Sequence, residues 1–168
     1  MGSKKGQVWS LDIASAAVVI SFILLFAILI WNNLAIRWNS TNDYRQMQTD
    51  AMFAAEALMT TSGYPESWEM LPQIDDNITS IGLVNGRNEL SHLKLKKLVD
   101  ENATAYGHVK RRLGVQRYEL GIRITDIERE EAYYEFGRFS GALDTVVAFE
   151  RLGILNGSMV VMQVEVWE

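Results

Sequence analysis

The sequence predicts an α+β protein: a long N-terminal membrane-spanning helix, then a small domain with short helices and a four-stranded antiparallel sheet. Three observations predict it. Between Ile13 and Trp31 the only polar residues are Ser15 and Ser21, and no charge occurs. From Tyr44 to Leu58 apolar residues recur mostly at spacings of three and four, a helical stripe. From residue 117 onward the period drops to two, the spacing of strands with one buried face.

The apolar run comes first in the chain. As a helix it is roughly 28 Å long, close to the hydrocarbon thickness of a bilayer. A helix that is apolar all round must be buried in lipid or in a large core. The remainder of a 168-residue chain is too small to wrap it. A cleaved secretory signal has an apolar region of about 7–15 residues followed by a small-x-small site. Here the run is longer and ends in Ile28-Leu29-Ile30-Trp31-Asn32-Asn33, while Ser15-Ala16-Ala17 precedes the apolar core. A single-pass membrane segment in contact with lipid is the expectation.

Lys4 and Lys5 precede the run, and Arg37 and Arg45 follow it. That balance gives a slight preference for an N-terminus inside and a C-terminal domain outside. The sequons point the same way. Four Asn-x-Ser/Thr sequences occur, at Asn39, Asn77, Asn102 and Asn156, where nine asparagines predict roughly one by chance. All four lie beyond the apolar run, and all four are candidate N-glycosylation sites.

The amphipathic stretch carries Tyr44, Met47, Ala51, Ala54, Ala55 and Leu58 on one stripe, and Ser62-Gly63-Tyr64-Pro65 stops it. The Asn39–Asn42 cluster ahead of it is a place where the helix could break. Residues 64–90 read as loop, with Pro65, Pro72 and Asn85-Gly86. Ser91 caps a helix bearing Leu95, Leu98 and Val99. Thr104 is the expected cap of a second, with Tyr106, Val109 and Leu113 on one face and Gly114 past its end. Leu120, Ile122 and Ile124 alternate with Glu119, Gly121, Arg123 and Thr125, and Val160, Met162, Val164 and Val166 with Val161, Gln163, Glu165 and Trp167. Segments 132–139 and 145–154 are two further strands, and Asn156-Gly157 signals a tight hairpin. The stripe on residues 44–60 is the expected cover for one face of this sheet.

Composition narrows the function classes. No cysteine is present, so disulfides, thiolate metal sites and thiol nucleophiles are excluded. A net charge of −5 argues against a nucleic-acid partner. Lys110-Arg111-Arg112 reads as a solvated helix face. His92 and His108 show no ligand spacing. Asp75-Asp76 and the acids between Glu128 and Glu131 read as solvated charge, and no glycine-rich phosphate loop occurs. Tyr133, Tyr134, Phe136 and Phe139 read as filling a sheet face. No catalytic constellation, cofactor site or metal site is expected.

The stretch Lys4-Lys5-Gly6-Gln7-Val8-Trp9-Ser10-Leu11-Asp12, running directly into the apolar helix, resembles the N-terminus of archaeal type IV pilin-like proteins. Further on, Thr60 to Trp68, Ile81-Gly82-Leu83, Leu90-Ser91 and Leu113-Gly114 are similar to a recurrent pattern in pilin-like surface proteins of archaea. The resemblance implies a class III-type leader over residues 1–6, removed by a prepilin-type peptidase between Gly6 and Gln7, with Lys4 and Lys5 as the basic residues before the site. It implies a transmembrane and filament-core helix over 7–38, an amphipathic continuation over 39–62 and an extracellular α+β domain over 63–168. Asp12 then matches the acid that sits near a neighbouring subunit's new amino terminus. The common pattern has Glu at the fifth mature position, whereas Asp12 is sixth from Gln7. The small side chains of Ala14 and Ala17 are those expected to permit close helix approach. The implied function is a major or minor pilin in a surface filament, with membrane lipid, the peptidase and other pilin subunits as partners. The alternative is a single-pass membrane-anchored extracellular binding domain that does not polymerise.

Overall fold

The computed structural model describes residues 4–86, 88–129, 131–142 and 145–168; within the first helix, side chains are described at 12–34 and from 43 onward. The order is α1 (Lys4–Thr60), β1 (Gly63–Tyr64), a 3-10 turn (Trp68–Met70), β2 (Ser80–Ile81), β3 (Val84–Gly86), β4 (Glu89–Leu90), α2 (His92–Asp100), α3 (Asn102–Arg112), β5 (Glu119–Asp126), β6 (Ala132–Gly137), β7 (Val146–Leu155) and β8 (Ser158–Trp167). The chain forms two compact units, one ending at Tyr44 and one running from Arg45 to Glu168.

In the first unit α1 carries the apolar segment Asp12–Leu34, which is long and apolar enough to cross a membrane. In the second unit the amphipathic stripe is buried as expected: Met47, Ala51, Ala54, Ala55 and Leu58 are inaccessible to solvent. Tyr44 is the exception. It is 41% exposed and belongs to the first unit. The helix ends at Thr60, and the chain turns through Gly63 at φ +84°. A Cβ at Gly63 would lie 2.8 Å from the Trp68 ring and 2.9 Å from Ser80 O. The turn therefore needs glycine both for its dihedral and for its space.

The expected sheet is too small. Strands β7, β8, β5 and β6 pair antiparallel in that order, as their alternation predicts, but two short strands extend the sheet to six in the order β3-β4-β7-β8-β5-β6. β4 joins β7 in parallel, with Glu89 opposite Ile154. The segment 64–90, read as loop, also supplies β2 and the second residue of β1, and these two strands form a separate two-stranded pair. These strands are two or three residues long and have no period to detect. Of the four, β4 adds to the otherwise free edge of β7, giving its backbone groups partners, and β3 pairs in turn with β4.

The register confirms the face assignment. Leu120 lies opposite Val166, Ile122 opposite Val164 and Ile124 opposite Met162, and all six are buried. They join one core with the α1 stripe, Trp68, Leu95, Leu98, Ala105 and Val109. Asn156 and Gly157 both have positive φ, as the two-residue hairpin between β7 and β8 requires. Ser91 caps α2, its hydroxyl accepting from Lys94 N. The cap of α3 is Glu101, not Thr104, and the helix opens at Asn102. α2 ends at Asp100, so α3 follows directly and Thr104 falls within its first turn.

Of the four β6-region aromatics only Phe136 is fully buried. Tyr134 and Phe139 are half-buried, and Tyr133 is 38% exposed. β6 is an edge strand, so it cannot be covered like β8. The basic run is also more than a solvated face. Arg111 and Arg112 reach the Asp76 carboxylate at 3.1 and 3.4 Å, and Lys110 reaches Glu119 at 3.1 Å. Glu119 also accepts from the Tyr106 hydroxyl at 2.7 Å, and burial pushes Tyr106 up to about 12. These pairs tie α3 to the loop before β2 on one side and to β5 on the other.

One buried cation was not foreseen. Lys94 lies on the inward face of α2, and its ammonium donates to Ser62 O at 2.8 Å and Val84 O at 3.2 Å. Burial pushes its pKa down. The two bonds staple the end of α1 and strand β3 to α2. Lys94→Met keeps the volume but strands both carbonyls, at about 1–3 kcal/mol for a buried group left without a partner. We expect a loss of about 2 kcal/mol, read as an earlier midpoint in denaturant unfolding with an unchanged slope; an unchanged midpoint would mean that the two bonds contribute nothing net.

Candidate functional site

The apolar segment is the first candidate. It covers 23 residues, about 34 Å of helix, and every described side chain from Asp12 to Leu34 is exposed. Its two serines do not present loose hydroxyls. Ser15 Oγ donates to Asp12 O at 2.9 Å, and Ser21 Oγ donates to Ala17 O at 2.8 Å. Bonding back to the preceding turn satisfies the hydroxyl within the helix, which suits an apolar surrounding.

Helical spacing sorts the remaining residues. At about 100° per residue, Ala14, Ala17 and Ser21 fall within roughly 60° of one another, forming one narrow face of small side chains. Asp12 lies about 140–160° around the helix from Ala14 and Ala17. The acid and the small face therefore point to different sides of the helix. Lys4, Lys5, Gly6 and Gln7, the expected processing site, fall on the α1 backbone, but their side chains lie outside the described residues.

The sequons occupy three different settings, and the side chain of Asn39 lies outside the described residues. Asn77 is exposed, and its amide donates to Asp75 Oδ2 at 3.0 Å. Asn102 opens α3, and its Oδ1 accepts from Gly137 N at 2.9 Å. Asn156 stands at the β7–β8 hairpin tip, exposed, and its side-chain amide makes no hydrogen bond among the described residues.

The second candidate is a groove of about 230 Å³ lined by His92, Tyr133, Tyr134, Leu155, Asn156 and Ser158. Three remote segments build it: the first turn of α2, the start of β6 and the β7–β8 hairpin. Its rings are held in place. Tyr134 Oη is hydrogen-bonded to His92 Nδ1, and the two rings meet edge-on with centroids 5.8 Å apart. The Tyr133 hydroxyl donates to Asp126 Oδ2. Asp126 is buried and its other oxygen accepts from Glu128 N at 2.7 Å and Arg129 N at 3.1 Å. Those bonds hold the Asp126 carboxyl below its ordinary value, the Tyr133 bond contributing most.

The chain matches no known protein-family model, no curated protein and no solved structure. The functional reading therefore rests on the residues themselves. The helix offers an apolar surface with one acid at its head. The groove offers fixed aromatic rings beside an exposed asparagine. Sequence spacing did not reveal the groove, because residues 92, 133–134 and 155–158 have no local relation. The one available signal was the pair of tyrosines beginning a strand that proves to be an edge.

Proposed function

We propose that this chain is a structural subunit, major or minor, of an archaeal type IV pilus-like surface filament. It is held in the cell membrane by α1 before assembly, with its C-terminal domain outside. The observation that carries the reading is the Asp12–Leu34 segment: apolar on every side and exposed along its whole length. Such a helix needs apolar partners, and lipid or neighbouring copies of the same helix both supply them. The Lys4-Lys5-Gly6 sequence directly ahead of it, and its resemblance to pilin leaders, favour the second role following the first.

Asp12 fits the same scheme. A lone carboxylate among packed helices needs a counter-charge, since breaking a buried pair costs about 3–5 kcal/mol. Cleavage after Gly6 would create a free amine at Gln7, about 7.5 Å along the helix axis from Asp12. A neighbouring helix displaced axially by that amount would bring its amine level with the acid.

The test is the mature N-terminus of protein from its native membrane. Sequencing or intact mass should find it at Gln7. Gly6→Leu should block processing, because a peptidase must bring the chain close at that position. Native material that begins at Met1 or Gly2 would instead support a permanently anchored extracellular binding domain that never polymerises.

A further inference from the structure

We propose that Asn156 carries an N-linked glycan and that its first sugar ring lies in the groove formed by His92, Tyr133 and Tyr134. The inference rests on the reading that the domain is outside the membrane. Two independent observations lead to it. The first is the sequon Asn156-Gly157-Ser158 at a hairpin tip, where the asparagine side chain is exposed and unbonded among the described residues. The second is that Asn156 and Ser158 both line the groove that holds the aromatic rings. An asparagine at the rim of a groove puts the first group attached to it within reach of the groove's walls.

The chemistry of the walls suits a sugar. A pyranose presents one face of C–H groups and a rim of hydroxyls. Its C–H face matches the negative face of a phenol ring, and its hydroxyls match the polar atoms of His92, Tyr134 and Ser158. The groove holds about 230 Å³, the space of roughly eight water molecules, which suffices for one ring. The tyrosines are pre-positioned, because Asp126 holds Tyr133 and His92 holds Tyr134. Little side-chain freedom is then lost when the sugar settles.

The covalent step needs a glycosyl donor, here an oligosaccharide linked through phosphate to a membrane lipid. Asn156 Nδ2 attacks the anomeric carbon, the anomeric C–O bond breaks, and the lipid phosphate leaves with the electron pair. The amide nitrogen gives up one proton to a base of the transferase. Oxidation states do not change.

The protein is extracted intact from its native membranes and digested, and the peptide containing Asn156 is weighed. It should be heavier by at least one hexose or N-acetylhexosamine residue, and the increment should vanish in Ser158→Ala and in Asn156→Asp. The second variant retains a residue that tolerates the left-handed backbone. Docking is read by nitrating tyrosines with tetranitromethane in the intact protein. Tyr133 should react several-fold more slowly in the native protein than in either variant, with Tyr64, 67% exposed, as the unchanged reference. An unmodified Asn156 on a domain that protease reaches on intact cells would overturn the inference and leave the surface reading standing. If protease does not reach the domain and Asn156 is bare, both fall. A glycan with equal Tyr133 rates in native and variant protein would sink the docking.

Discussion

Ala17→Phe is expected to leave the protein anchored in the membrane and to eliminate it from filaments. Ala17 shares a narrow face of α1 with Ala14 and Ser21, and its side chain is exposed in the single chain. Lipid is fluid and apolar, so a larger apolar side chain there is accommodated. A filament core is different. Helices that approach across small residues are close-packed, and overpacking costs about 1–3 kcal/mol per site. In a polymer of identical subunits that cost recurs at every equivalent contact, so assembly fails well before insertion does. Asp12→Ala, on the opposite side of the helix, should slow or prevent assembly while leader removal proceeds. The measurement is shear release of surface filaments beside an immunoblot of the membrane fraction. Variants that anchor normally while even unmutated cells yield no filament containing this protein would make the anchored domain the better account.

Val164→Asp should unfold the domain. Val164 is inaccessible to solvent on β8, an interior strand of the sheet. It faces Ile122 on β5 and Phe149 on β7. The substitution removes about 1.5–3 kcal/mol of valine burial. It also places a carboxyl group where charging it is opposed by desolvation, a cost that shifts such groups by up to about 3–5 pKa units, or roughly 4–7 kcal/mol. The two losses together approach the ~5–15 kcal/mol that holds a typical domain folded. Near-ultraviolet circular dichroism of the full chain in detergent should lose its fixed aromatic signal and show no cooperative melting. A variant that melts like the parent would place Val164 on the outer face and overturn the register argument.

Much of this architecture was legible in the residues because it depends on local periodicity. The apolar run specifies its environment by length and by the absence of charge. The stripe from Met47 to Leu58 specifies the buried face of α1 by its spacing. The alternation at 120–124 and 160–166 specifies which side of the sheet is inward, and Asn156-Gly157 specifies its tightest turn. Each of these signals lies within about twenty consecutive residues or fewer and follows from how a helix or strand repeats. The expected leader residues and the sequons are equally local, but processing and glycosylation depend on other proteins, and no fold alone decides whether they occur.

Other features were decided only when distant segments met. Strands β3 and β4 have no pattern of their own; β4 is recognisable only by its pairing with the edge of β7, and β3 by its pairing with β4. Lys94 looks like any surface lysine of an amphipathic helix until Ser62 and Val84 arrive with carbonyls to receive its ammonium. Arg111 and Arg112 look solvated until the loop bearing Asp76 folds against them. The groove needs α2, β6 and the last hairpin together. The sequence by itself thus determined the apolar helix, the inward faces and the central antiparallel strands, since those follow from repeating local geometry. The tertiary structure alone decided the sheet's width, the partners of its buried and surface charges, and the surroundings of Asn156, because edges, charges and grooves are completed by residues far away in the chain.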